Sequence, residues 1–205
     1  MIKTCQGTRF GLIRHASTVW NLEKRIQGHS DSALTADGEK DAGRWGQGLR
    51  AYPWDRILSS DTGRARQTAT IINSFLQVPL TTDARLREQD WGQWTAKTLA
   101  EVQMLVPLIL AEQQKAGWGF GPPGGEDRRQ VWERTQRALM EAAEKWRGET
   151  ILVVTHEGPI KCLIYRLCGR KFLASEPPLL NASHLHWIVF DGQSLRIEAI
   201  NALAL

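Results

Sequence analysis

A short apolar run, Phe10, Leu12 and Ile13, ends abruptly in Arg14 and His15 and then in small polar residues (G-L-I-R-H-A-S-T-V-W-N, residues 11–21). The run reads as a buried strand. A charged pair at its C-terminal end points into the crevice where open α/β sheets bind ligands. An Arg-His dipeptide alone carries little, because most surface histidines do nothing chemical. Two further apolar runs end in the same way. Residues 56–59 lead to Ser59-Ser60 and, one helical turn on, to Arg64, while residues 150–155 lead to Thr155-His156. Parallel strands place their C-terminal ends on one edge of a sheet, so residues far apart in sequence converge there. Two arginines and two histidines in that place describe a cradle for a phosphoryl group, since each guanidinium offers a planar fork of donors matched to phosphate oxygens. A helix beginning near Gly158 adds backbone N–H donors and its dipole. A histidine amid arginines is biased toward its neutral form, as a nucleophile must be.

The elements that must position these residues alternate. Strands are expected at 8–14, 56–59, near 80–82 and at 150–155, the last a continuous apolar run suited to a central strand covered on both faces. Helices are expected from Thr35 to about Leu49, from Ser60-Asp61-Thr62 to about Leu76, near 96–116 with Pro107 as a break or kink, from about Glu126 to Trp146, and from Pro159 to Leu167. Residues 21–34 read as loop, and Gly117–Gly125, with five glycines and two prolines, as another. Residues 184–190 and 194–199 flank Asp191-Gly192 as a terminal hairpin. The pattern predicts one α/β domain over 1–205. Its fold class is a three-layer α/β/α sandwich with a mostly parallel central sheet, an antiparallel C-terminal edge hairpin, and a small helical and loop cap at about 86–125.

Composition is that of an ordinary globular protein, 42% hydrophobic and 23% charged over 205 residues, with net charge +4. The basic residues are scattered and no run exceeds two, which disfavours a nucleic-acid stripe and leaves room for a local arginine cluster. Cys5, Cys162 and Cys168 form no CxxC pair and are odd in number, so reduced thiols are expected, Cys162 and Cys168 buried on a helix. The first residues hold no apolar signal core and no stretch approaches 18 apolar residues, so a cytoplasmic protein without a membrane partner is expected.

Four segments in order complete the picture: L-I-R-H-A-S-T-V-W-N (12–21), S-S-D-T-G-R-A-R-Q-T-A (59–69), L-R-E-Q-D-W-G-Q-W (86–94) and V-V-T-H-E-G (153–158). Together they resemble the histidine phosphatase superfamily, the phosphoglycerate-mutase-like family, over nearly the whole chain. The resemblance implies that His15 is the nucleophile that becomes phosphohistidine. It implies that Arg14, Arg64 and His156 hold the phosphoryl oxygens, and that Glu88 is the general acid and base. Asn21, Gln27 and Gly158 fall at substrate- or phosphate-binding positions. No metal and no cofactor are implied, because arginines neutralise the charge. The partner implied is a small phosphorylated metabolite; a homodimer is left open. Departures from the family pattern are Ala16, Ser17, Glu157 and Trp94-Thr95-Ala96. Glu157 puts a negative charge near the phosphate pocket, where it either tunes specificity or faces solvent.

Blander roles compete with several of these. Glu88 can pair with Arg85 or Arg87, Asp90 is a rival acid, Arg66 a rival arginine, and Glu126 either a mouth residue or a helix N-terminal charge. His29 touches substrate or is solvated. His184 and His186 share a strand face without a third metal ligand. Trp20, Trp91 and Trp94 are the tryptophans expected near the site. The leading function is a phosphomonoesterase, with a layout resembling α-ribazole phosphatases. The alternatives are mutase-type phosphoryl transfer, weakened by the short segment after Glu88, and a non-catalytic phospho-ligand module.

Overall fold

The computed structural model describes residues 7–205, so Cys5 and the N-terminal segment lie outside the described residues. Six strands form one sheet: β1 (Thr8–Arg14), β2 (Arg56–Ser59), β3 (Leu80–Thr82), β4 (Thr150–Thr155), β5 (His184–Phe190) and β6 (Leu195–Ala204). Their spatial order is β3-β2-β4-β1-β5-β6. The first four are mutually parallel, and β5 and β6 add an antiparallel edge. The second strand of that hairpin runs to Ala204, longer than its alternating segment predicts.

Alternation along the strands sends side chains to two cores. Phe10, Leu12, Ile151 and Val153 pack on one face with Leu139 of α6 (Arg128–Lys145) and Leu163 of α7 (Glu157–Leu167). Ile13, Leu152 and Val154 pack on the other with Ala42 and Leu49 of α2 (Ala36–Leu49) and Ile72 of α3 (Gly63–Leu76). The result is the three-layer α/β/α arrangement.

Differences from the sequence reading have local causes. A four-residue helix, α1 (Val19–Leu22), stands at the start of the expected loop, closed by a Thr18–Asn21 capping box. The expected helix over 96–116 is two, α4 (Leu99–Leu105) and α5 (Pro107–Lys115). Val106, with φ −141° and ψ 57°, lies outside the helical region because the following proline crowds it. Glu126 stands one residue before Asp127, the cap of α6, and its carboxylate is held by Arg134 and by the N–H of Asp90. Cys162 is buried as expected, whereas Cys168 is exposed, because it follows the last turn of α7.

Residues 86–125 carry their own apolar cluster, Trp94, Val102, Leu110 and Phe120, with Ile26 and Trp91 packed against it. An antiparallel bridge between Arg25 and Thr98 ties this region to the segment after α1.

Candidate active site

The pairing register decides where the site forms. Arg14 lies opposite Thr155 and Ser59 opposite Val154, so β1, β2 and β4 end level. The ladders run one step further: His15 N donates to Thr155 O and Ser60 N to Val154 O, each at 2.9 Å. His15, Ser60 and His156 are thereby fixed to the rigid edge of the sheet.

His15 is buried, and both its ring nitrogens have defined partners. Nδ1 lies 2.8 Å from the carbonyl of Ala16, which can only accept. Nε2 lies 3.2 Å from Nε of Arg64, which can only donate. The proton therefore resides on Nδ1 and the lone pair on Nε2. Burial, reinforced by Arg14 and Arg64, pushes the ring well below the ordinary histidine pKa, so it is neutral at pH 7.

Arg64 is held on every nitrogen. Its Nη1 donates to Ser30 O at 2.7 Å, its Nη2 to Gly28 O at 2.9 Å, and Asp31 accepts from Nη1 at 3.2 Å. Asp31 also accepts from the backbone N–H of Arg64. Thr62, the residue before α3, makes no side-chain cap bond of its own, so a loop carboxylate serves that helix end. Gly28 has φ +54°, which turns its carbonyl toward Arg64 without Cβ strain. Arg66 is exposed on the far side of α3.

The same device recurs at α7. His156, at its N-cap, makes no side-chain cap bond. The N–H of Gly158 donates instead to both oxygens of Glu88, at 3.1 and 3.3 Å. A Cβ on residue 158 would lie 2.0 Å from Glu88 Oε1, so only glycine admits the carboxylate there. Glu88 pairs with neither neighbouring arginine: Arg85 holds Asp83 and Glu141, and Arg87 holds Asp61. Its own main-chain carbonyl accepts from Arg134 at 2.8 Å and from His29 at 3.0 Å. Arg134 is in turn paired with Glu126. Thr155 adds a hydrogen bond to Leu86 O, tying this segment to the end of β4.

A cavity of about 150 Å³ opens over this edge. It is bordered by Arg14, His15, Asn21, Gln27, Arg64 and Glu88, with Arg25 and Trp91 at its margin. Gln27 donates to Thr18 Oγ1 at 2.8 Å, and its buried Oε1 has no partner among the described residues. Asn21 accepts from Thr18 and so is braced by the α1 cap. His156 stands behind the pocket wall, its ring centroid 5.0 Å from that of His15. Its Nε2 contacts Ser60 Oγ at 2.9 Å and Thr62 Oγ1 at 3.3 Å, and its buried Nδ1 has no partner among the described residues. Burial, then His15 and the two arginines, push it well below the histidine range, so it too is neutral.

Not every expected residue borders the cavity. Asp90 turns away to accept from Gly92 N at 2.9 Å, Trp94 is buried in the aromatic cluster, and Trp20 is not among the lining residues. His186 is buried and accepts from Asn201 N, while His184 contacts Ala182 O. No group of three or more metal-binding side chains forms among the described residues.

Comparison with known proteins fits this geometry. The family description "Histidine phosphatase superfamily (branch 1)" matches residues 10–203. The chain belongs to the histidine phosphatase superfamily. It is 36% identical over 167 residues, 77% of this chain and 74% of the other, to the probable phosphoglycerate mutase GpmB of Salmonella choleraesuis. Among solved structures it superposes on Bacillus stearothermophilus YhfR with a TM-score of 0.87 at 33% identity, covering 96% of this chain and 98% of that one. The mycobacterial glucosyl-3-phosphoglycerate phosphatase, solved with VO3, matches with a TM-score of 0.81 at 27% identity, covering 95% and 99%. The α-ribazole phosphatase of Shigella flexneri, at 24% identity, shares the fold. Within the superfamily the relatives carry the names of phosphatases and mutases.

The sequence reading does not name Arg134 or Asp31, and it marks His29 and Glu157 without giving their partners. Arg134 and His29 reach Glu88 through its carbonyl, Asp31 caps α3, and Glu157 holds Arg14. None of these contacts carries a local signal, because each is made across the chain from a helix or loop whose register to the site is set by packing.

Proposed function

We propose that the chain is a metal-independent phosphomonoesterase acting on a small phosphorylated metabolite through a phosphohistidine on His15. The observation that carries the reading is the tautomer of His15: Ala16 O takes the Nδ1 proton and leaves the Nε2 lone pair facing Arg64 at 3.2 Å in the pocket. The lone pair attacks phosphorus in line, the bond from phosphorus to the ester oxygen breaks, and Glu88 in its acid form gives that oxygen a proton. Glu88, now a carboxylate, takes a proton from water as the water oxygen attacks phosphorus; the phosphorus–nitrogen bond breaks and inorganic phosphate and free His15 result.

Arg64, Arg14 and Nδ1 of His156 are the donors to the three phosphoryl oxygens, where charge builds up in the transition state. When substrate enters, the phosphoryl group seated against Nε2 of His15 brings an oxygen within reach of the Arg64 Nε–H, which stays in place. Asn21 and Gln27 serve the substrate side, and the Gly158 N–H keeps Glu88 aimed. The reading takes a cytoplasmic metabolite as the partner, rather than a nucleic acid or a membrane surface.

The test is phosphate release across a panel of phosphorylated metabolites that includes α-ribazole phosphate, phosphoglycerates and an aryl phosphate, with vanadate as inhibitor. Turnover by the wild-type protein without added metal, lost in His15→Ala together with acid-quenched phosphoenzyme, supports the reading. Undiminished turnover in His15→Ala ends it. The GpmB likeness favours one second reading, mutase-type transfer. Supplying a phosphoglycerate with bisphosphoglycerate separates the two, since a mutase yields the isomer and a phosphatase yields free phosphate.

A further inference from the structure

Glu157 is the first residue of α7 and stands beside a pocket shaped for an anion. Its Oε2 accepts from Nη1 of Arg14 at 2.9 Å, and its other oxygen from Lys161 one turn along the helix. Arg14 borders the pocket, and its buried Nε has no partner among the described residues. Each of the two arginines assigned to the phosphoryl oxygens thus holds a carboxylate of the protein itself, Arg64 that of Asp31 at 3.2 Å and Arg14 that of Glu157 at 2.9 Å. Burial alone would push the Glu157 carboxyl up, yet Arg14 and Lys161 hold it below the usual carboxylate range, so it is charged at neutral pH.

We propose that Glu157 is a displaceable clamp on Arg14, a positioning residue that competes with the phosphoryl oxygens for the guanidinium and so speeds release of inorganic phosphate. The inference rests on the phosphomonoesterase reading. Arg14 and Arg64 differ in the way such a device requires. Arg64 is fully buried and fixed by the carbonyls of Gly28 and Ser30 in addition to Asp31, so no single displacement frees it. The Arg14 side chain is 36% exposed and is tied by this single carboxylate. The displaced carboxylate keeps a partner in Lys161 and has somewhere to go. Glu157 also borders a second cavity, of about 160 Å³, with Ile160, Lys161, Asn181 and His184. A tightly held phosphate dianion is a strong product inhibitor, and a built-in competitor for Arg14 weakens that bound ground state.

The experiment measures the dissociation constant of inorganic phosphate by titration calorimetry, and its product-inhibition constant with an aryl phosphate, for the wild type, Glu157→Gln and Glu157→Asp. Gln removes the charge. Asp keeps the charge and draws it back by about 1.5 Å, one carbon–carbon bond, out of reach of Arg14. Both variants are expected to bind phosphate about three- to fivefold more tightly, the range in which a partly exposed ion pair acts. KM falls with it, and kcat falls where phosphate release limits turnover. Phosphate affinity unchanged in Glu157→Gln overturns the proposal. So does wild-type affinity in Glu157→Asp, because a distant field effect depends on the charge and not on the contact. If no protein in the series turns over any substrate while the affinities keep the expected order, the hydrolase reading falls and the clamp on Arg14 stands.

Discussion

Arg64 donates through Nε to Nε2 of His15 across 3.2 Å while its two Nη groups are bound to the carbonyls of Ser30 and Gly28. One guanidinium thus fixes the tautomer of the histidine and anchors the loop that walls the pocket. A lysine in its place has one ammonium and cannot do both. Arg64→Lys is expected to lower kcat/KM for an aryl phosphate by roughly 10²–10³, the cost of removing one preorganised donor to developing charge. It should also lower unfolding stability by about 1–3 kcal/mol, since a buried carbonyl loses its donor. Steady-state kinetics and urea unfolding read the two effects. A loss under about threefold in kcat/KM would remove Arg64 from the proposed chemistry.

The absence of a side chain at Gly158 gives Glu88 its place. A Cβ there would sit 2.0 Å from Oε1, and the atom it displaces is the end of a flexible side chain. Gly158→Ala is therefore expected to move Glu88 without unfolding the protein. The melting temperature should stay within a few degrees while kcat falls toward the level of Glu88→Gln. The double variant should be no slower than Glu88→Gln alone. An additive loss in the double variant would place the two residues in separate functions.

Glu88 and Asp90 are two residues apart and face different partners. Glu88 borders the cavity, whereas Asp90 Oδ1 accepts from Gly92 N. Glu88→Gln should slow turnover by about 10²–10⁴ with poor leaving groups and far less with an aryl phosphate whose leaving oxygen needs no proton. Asp90→Asn should show no such leaving-group dependence. A series of phosphate esters graded by leaving-group pKa measures the difference. If the slope changes in Asp90→Asn and not in Glu88→Gln, the acid has been assigned to the wrong carboxylate.

Much of the site was legible because its parts sit where strands end. Apolar runs closing on Arg14-His15, Ser59-Ser60 and Thr155-His156 declare both the strand and its edge, and a parallel sheet brings those edges together. Glu88 was legible only through its family motif, since an acid in an irregular segment flanked by arginines reads equally well as a surface ion pair. What holds it is a helix N–H from α7, 70 residues away. Glu157 shows the other limit. The sequence marks it as an unusual charge beside a phosphate pocket, but its partner depends on how α7 leaves the sheet. The split between α4 and α5 was half legible: Pro107 announces a break, and the backbone of Val106 shows that it is complete.

Neutral His15 has a consequence for acid pH. Burial, then Arg14 and Arg64, hold its pKa well below 6.5, and only the unprotonated ring can attack phosphorus. Its nucleophilic form therefore survives below pH 6.5 and disappears only as pH falls through the lowered value. Ring-carbon NMR titration should show His15 unprotonated at pH 6. In Arg64→Met, with a neighbouring cation gone, the midpoint should move up. A wild-type His15 that titrates at 6.5 or above would contradict the buried neutral state.

His186 extends the same reasoning to stability, away from the pocket. It is buried, accepts from Asn201 N at 3.1 Å, and its pKa is pushed down to about 4, first by burial and then by His184. The unfolded chain takes up this proton near pH 6.5, whereas the native protein resists until about 4. Between those values the unfolded state binds more protons, so stability is full above 6.5 and is lost as pH falls toward 4. Each such histidine contributes a slope of about 1.4 kcal/mol per pH unit across that window. His15 and His156 act with the same sign. His186→Asn keeps an acceptor for Asn201 N and cannot be protonated. It is expected to remove about one proton from the linkage, flattening the fall in unfolding free energy between pH 6 and 4.5 by about 1.4 kcal/mol per unit. Urea unfolding at three pH values in that range measures it. Parallel curves for variant and wild type would mean that His186 titrates alike in both states, and that Asn201 N is not bonded to a neutral ring.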